Sequence, residues 1–179
     1  MDMIKESDLK ILFSAEKIQE KISELGIKLN NDYKEEPIYL ICVLKGAVMF
    51  MTDLAKHLKM PVKMEFIKLS SYGSGFNSSG IVNALDISLP DLNDKNVLIV
   101  EDIIDTGHTA KFLIDFISRN FKPKSLKFCS LMNKKCKREV DIEADYYCFE
   151  IDNKFLVGYG LDYDGYYRNI PYVGYVEGV

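Results

Sequence analysis

The residues with the clearest chemical purpose lie in one short stretch, Val97 to Thr109, which reads VLIVEDIIDTGHT. Four apolar residues of strand type run into two adjacent carboxylates, Glu101 and Asp102. Two isoleucines follow, then Asp105, Thr106, Gly107, His108 and Thr109, where the pattern predicts that a helix begins. In an open α/β sheet, ligands bind beyond the carboxyl ends of the strands. A helix start adds free backbone N–H groups and the positive end of the helix dipole, which suit a phosphate. Gly107 lets backbone approach an anion, and Thr106 and Thr109 add hydroxyl donors. Adjacent strand residues point to opposite faces, so one carboxylate suits sugar hydroxyls and the other a divalent cation such as Mg²⁺.

The elements that would position these groups follow from hydrophobic spacing. Ala15, Ile18, Ile22, Leu25 and Leu29 recur at intervals of three and four, an amphipathic helix closing near Asn30-Asn31-Asp32. Pro37 to Leu44 is an almost unbroken apolar run, the mark of a strand covered on both faces. Ala47, Phe50, Met51, Leu54 and Leu58 return to helical spacing, Val62 to Leu69 is strand-like, and Ile81 to Ile87 pairs back as a hairpin. Ala110, Leu113, Ile114 and Ile117 mark the helix after the acidic stretch. Leu126 to Met132, Tyr146 to Ile151 and Phe155 to Tyr159 are further strands. Strand and helix in alternation predict an α/β fold with a mostly parallel central sheet, in one domain over 1–179.

The bulk numbers bound the function. The 179 residues are 47% hydrophobic and 28% charged with a net charge of -4, enough to build a core and against non-specific nucleic-acid binding. The start lacks the apolar stretch of a signal peptide and no apolar run has bilayer length, so no membrane partner and a cytoplasmic location are expected. Cys42, Cys129, Cys136 and Cys148 show no metal-ligand spacing, and all but Cys136 fall in apolar runs. His57, between Lys56 and Leu58, reads as a surface residue. Six of the 11 tyrosines (Tyr159, Tyr163, Tyr166, Tyr167, Tyr172, Tyr175) crowd the C-terminal end, where they could form a subunit interface, a ligand wall or the cover of a strand edge.

The pattern E-D-x-x-D-T-G-x-T after a buried strand resembles, at every position, the phosphoribosyl-pyrophosphate signature of the type I phosphoribosyltransferases. Three other segments are similar to the hypoxanthine-guanine branch of that family. Lys45 and Gly46 match its pyrophosphate-binding loop, which carries a non-proline cis peptide before the lysine. Ser70 to Gly80 (SSYGSGFNSSG) matches its flexible loop, with Ser71 and Tyr72 as the pair that closes over the site. Lys134 matches the lysine that contacts the exocyclic oxygen of the base, and Phe155 the aromatic that stacks on it. Ile104 and the main chain of Leu156 would also line the base. Asp162 matches a purine-binding residue near a second metal and the exocyclic position of the base, and Arg168 a pyrophosphate-binding arginine. One position departs: relatives often carry Lys or Arg where His108 stands, and an imidazole does not carry their permanent charge.

The resemblance implies a type I fold with a small hood formed by the chain ends (the N-terminus and 150–179). It also implies an enzyme that salvages purines, transferring the phosphoribosyl group of phosphoribosyl pyrophosphate to hypoxanthine or guanine with Mg²⁺. Asp105 would be the general base at purine N7, residues 101, 102 and 105–109 would hold the ribose phosphate, and Glu101, Asp102 and Asp162 the metal. A homodimer or homotetramer is expected. A lysine donor favours a 6-oxo over a 6-amino purine, which would meet it donor to donor. A xanthine- or guanine-preferring sister enzyme and a non-catalytic regulator on the same scaffold share the signature; the acidic balance disfavours the regulator.

Overall fold

The computed structural model describes residues 8–71, 82–86 and 88–176. In chain order these form β1 (Lys10–Phe13), α1 (Ala15–Tyr33), β2 (Ile38–Leu44), α2 (Val48–His57), β3 (Val62–Ser71), β4 (Val82–Asp86), β5 (Asn96–Ile104), α3 (His108–Asn120), β6 (Ser125–Asn133), β7 (Tyr146–Glu150), β8 (Leu156–Val157) and β9 (Val173–Tyr175). Six strands make the main sheet in the order β4-β3-β2-β5-β6-β7. All neighbours in it run parallel except β4, which returns antiparallel on β3 as the hairpin spacing predicts.

The apolar runs are strands because both faces are covered. Along β2, Ile38, Leu40 and Cys42 face the core under α1 and α2, while Tyr39, Ile41 and Val43 face the core under α3. Along β5, Leu98 and Val100 take the first face and Val97 and Ile99 the second. Helix α1 starts where the Ser14 side chain accepts from the Lys17 amide at 3.3 Å. It buries Ile18, Ile22, Leu25 and Leu29 on one stripe. It also presents Gly26 to α2, where an added Cβ would come within 2.5 Å of the His57 Cβ. His57 is therefore a partly buried contact between two helices rather than a surface residue.

Two strands were not expected. β1 and β9 pair antiparallel, and β9 also pairs with β8, giving a second sheet in the order β1-β9-β8. The expected strand from Phe155 to Tyr159 shortens to Leu156–Val157, since Gly158 has φ +100° and Tyr159 φ +47°. Around this sheet Leu9, Val157 and Ile170 form a small core of their own, packed by Phe155, Tyr163, Tyr167 and Tyr172. Of the clustered tyrosines, Tyr159 is buried and Tyr166 is 59% exposed. Among the described residues no helix is long and apolar enough to cross a membrane.

Candidate active site

The chain leaves β2 on one side, to α2 and β3, and leaves β5 on the other, to α3 and β6. The carboxyl ends of β2 and β5 are therefore the switch point of the sheet, where an open α/β fold leaves a crevice. Lys45 and Gly46 follow β2, and the Leu44–Lys45 peptide is cis. A side chain at Gly46 would fall on the Asp102 carboxylate, and one at Gly160 on the Gly46 carbonyl. Gly46 is thus required by the close approach of Asp102. A cavity of about 250 Å³ opens here, and Lys45, Gly46, Glu101, Asp102, Thr109, Asp162 and Arg168 line it.

The paired carboxylates do not end their strand. β5 continues through them to Ile104, with Glu101 opposite Ser130 and Ile104 opposite Asn133 on β6. Glu101 is buried, and that burial, reinforced by the neighbouring charge of Asp102, holds its carboxyl well above the usual range. The Arg138 charge opposes this rise. Asp102 is pushed up to about 6, chiefly by burial and further by Asp162, while the Ile103 amide and Arg168 pull it back. Both groups lose hydration without gaining a full counter-charge, a state that a bound cation relieves.

Beyond the strand, Gly107 caps α3 in a left-handed conformation with φ +89°. A Cβ there would meet Ile142 at 2.7 Å and Val140 at 2.9 Å. The glycine is demanded by this packing and by its φ, where anion approach was the expectation. The first N–H groups of α3 lack helical partners by geometry and face out from its start. His108 opens α3 with Nε2 2.8 Å from Glu139, so the position that departs from the pattern is engaged by a carboxylate.

Asp105 lies between strand and helix with one carboxylate oxygen, Oδ2, 3.5 Å from Lys134 Nζ. Its other oxygen, Oδ1, is buried and has no hydrogen-bond partner in the protein. Lys134 is itself buried and also reaches the Lys154 carbonyl at 3.4 Å. Arg168 donates to the Gly160 carbonyl at 2.6 Å and pairs with Asp162 at 2.5 Å. Phe155 meets Tyr163 edge to face, with centroids 5.8 Å apart, and Leu156 is buried on β8.

Most of the expected residues are therefore gathered at one end of the sheet, with three exceptions. Ile104 is 1% exposed and packs under α3. Its neighbour Ile103 is the partly exposed one, on the side of Leu156, because the alternation along β5 reverses after Asp102. Glu101, Asp102 and Asp162 do not converge as a ligand group, since among the described residues no three His, Cys, Asp or Glu side chains do. Glu101 and Asp102 point to opposite faces, and Arg168 holds Asp162. Tyr72 and the rest of the expected loop to Gly80 lie outside the described residues, as does the side chain of Ser71. Asn133 and Arg138, which bracket Lys134, were not singled out from sequence, and nothing in their local pattern marks them.

Residues 8–164 match the model of the phosphoribosyl transferase domain. A hypoxanthine-guanine phosphoribosyltransferase of Streptococcus thermophilus is 46% identical over 98% of this chain and 97% of its own. One from Mycobacterium bovis is 44% identical over 93% and 85%. Among solved structures, a hypoxanthine phosphoribosyltransferase of Staphylococcus aureus superposes with a TM-score of 0.91 at 38% identity, over 99% of this chain and 96% of that one. A hypoxanthine-guanine phosphoribosyltransferase of Bacillus anthracis, with a HEPES molecule in its active site, gives 0.88 at 43% identity over 93% and 98%. With the switch-point cavity, the acidic strand and the helix start after it, these likenesses place the chain in the phosphoribosyltransferase family, in its hypoxanthine-guanine branch.

Proposed function

We propose that this chain is a purine-salvage enzyme that transfers the phosphoribosyl group of phosphoribosyl pyrophosphate to hypoxanthine or guanine, giving the nucleotide and pyrophosphate. The observation that carries the choice of base is the pair where β5 and β6 end: a buried lysine donor beside a carboxylate whose Oδ1 lacks a partner. A 6-oxopurine presents O6 and N7 side by side on one edge. Lys134 would donate to O6 while Asp105 accepts the proton on N7 as N9 attacks the anomeric carbon. The transition state is oxocarbenium-like, so positioning and exclusion of water supply most of the rate. Phe155 would stack on the base and the Leu156 main chain meet its edge, with Ile103 beside it. The start of α3, from Thr106 to Thr109, would hold the 5'-phosphate, and Lys45 and Arg168 the departing pyrophosphate. The β1-β9-β8 sheet would serve as the hood, and Ser71 and Tyr72 would belong to the closing loop.

Glu101 and Asp102 fit Mg²⁺ as carboxylates whose charged forms the protein alone destabilises. With the two carboxylates on opposite faces, such an ion would take one of them and complete its shell with substrate oxygens and water, as Mg²⁺ prefers. Its chemistry would be to neutralise the leaving pyrophosphate. A homodimer or homotetramer is supported by Met64 and Phe66, exposed neighbours on one face of β3.

The test is product formation from hypoxanthine, guanine, xanthine and adenine, each with phosphoribosyl pyrophosphate and Mg²⁺, with an EDTA control. Turnover of hypoxanthine or guanine that EDTA abolishes is the expected result. A preference for adenine, or full activity in EDTA, refutes the assignment.

A further inference from the structure

Three consecutive carbonyls run through the turn that carries Asp105, and all three are held from the segment after β6. The Ile104 carbonyl accepts the Lys134 amide at 3.0 Å, and the Thr106 carbonyl accepts the Glu139 amide at 2.9 Å. Between them, the Asp105 carbonyl accepts Arg138 Nη1 at 2.8 Å. The outer two bonds are main chain to main chain and do not depend on a side chain. Only the middle one belongs to a side chain. The Ile104 and Asp105 carbonyls belong to the two peptide planes that flank the Asp105 Cα. With both held, the carboxylate keeps only its side-chain torsions.

The same guanidinium reaches the other half of the base-reading pair. Arg138 Nη2 donates at 2.6 Å to Asn133 Oδ1, the side chain immediately before Lys134. Asn133 is fully buried, and its Nδ2 has no partner in the protein. Arg138 Nε is likewise buried without one. Unpaired buried donors are costly, so an apolar brace would hold the fold at lower cost. What an apolar brace cannot do is bond the Asp105 turn and the Lys134 strand end at once, through a planar fork of fixed geometry. The Arg138 stem also lies against Gly107, with Cδ 3.0 Å from where a Cβ would stand.

We propose that Arg138 is a positioning residue for the reaction: by bonding the Asp105 carbonyl and the Asn133 side chain together, it sets the spacing between the Asp105 carboxylate and the Lys134 ammonium. The proposal rests on Asp105 as the base that accepts the N7 proton. It acts through that carboxylate, so its effect must vanish when the carboxylate is gone.

The test is a double-mutant cycle of Arg138→Met and Asp105→Asn, read as the single-turnover rate of the chemical step, which product release does not mask. Methionine keeps the apolar contact with Gly107 and removes both donors. Misplacing a catalytic group by about 1 Å costs up to about 100-fold. Arg138→Met is therefore expected to slow the step by about 10- to 100-fold, with the KM for phosphoribosyl pyrophosphate changed by less than about threefold. In the Asp105→Asn background the same change should alter the rate by less than about twofold. An equal loss in both backgrounds, or no loss in the first, overturns the proposal. If Arg138→Met does not fold, Arg138→Lys enters the same cycle under the same criteria, since its single ammonium cannot bridge both partners in the fixed fork. Asp105→Asn at the wild-type rate would instead remove the base assignment, an outcome visible without any change at Arg138.

Discussion

Asp102→Asn should make the ligand-free protein more stable at neutral pH while impairing its use of phosphoribosyl pyrophosphate. The carboxyl of Asp102 is raised from 3.8 to about 6 by burial and by Asp162. Each tenfold change in proton affinity is worth about 1.4 kcal/mol, so this rise corresponds to about 3 kcal/mol. The side chain is partly exposed to the cavity, so solvent screening makes this a ceiling and about 1–3 kcal/mol the working range. The sign follows from proton counting. Between pH 3.8 and about 6 the folded chain keeps a proton that the unfolded chain has released, so stability falls as pH rises through that window. Asparagine never ionises, and its amide oxygen can still accept the Ile103 amide, bonded to Asp102 Oδ1 at 2.9 Å. Urea unfolding of both proteins at a fixed concentration should therefore give curves that nearly coincide near pH 4. By pH 7 they should separate by the full amount in favour of the variant. A variant that is less stable at pH 7, or a difference that does not shrink on acidification, would refute the reasoning. In activity assays the same variant should need more Mg²⁺ and phosphoribosyl pyrophosphate, a stability–function exchange.

Lys134→Ala should lose about 10- to 100-fold in kcat/KM for hypoxanthine, the worth of one charged hydrogen bond; an unchanged hypoxanthine profile would exclude it from base recognition. Gly46→Ala should lower activity by about 100-fold or more, because its methyl would displace the Asp102 carboxylate; wild-type kinetics would show that Asp102 need not stay there. Tyr159→Phe removes a 2.6 Å hydrogen bond to Asp53 and should destabilise the fold by about 1–3 kcal/mol in urea unfolding. An unchanged midpoint and slope would mean that this bond does not hold the tail against α2.

What was legible in the sequence was whatever is encoded within a few residues. The runs IYLICVL and NVLIV announce doubly covered strands by lacking polar alternation, and α1 announces itself through its stripe. The acidic stretch was legible because strand, turn and helix start follow one another without interruption. The β1-β9 pairing was not, since Lys10 and Tyr175 stand opposite each other across almost the whole chain and each strand is too short to show a period. Arg138 escaped for a similar reason. Among Lys135, Lys137 and Glu139 it looks like one more solvated charge, and only the return of the chain past Asp105 gives it a task. At Gly46 and Gly107 the sequence shows that space is needed without showing that Asp102, Ile142 and Val140 are what stands there.

The order of strands in the tail sheet has a consequence for how the protein is made. β9 is the middle strand, so β1 and β8 have no partner in that sheet except through it. On a ribosome that has extruded only as far as β7, the main sheet can close and Asp102 can reach Gly46. The wall carrying Gly160, Asp162 and Arg168 is then still unmade, and β1 waits for a partner at the far end of the chain. Long-range pairings of this kind form late, after the closure of many shorter loops. The start of α3 and the Asp105–Lys134 pair are thus built early in synthesis, while the stacking wall at Phe155 and the cation of Arg168 come last.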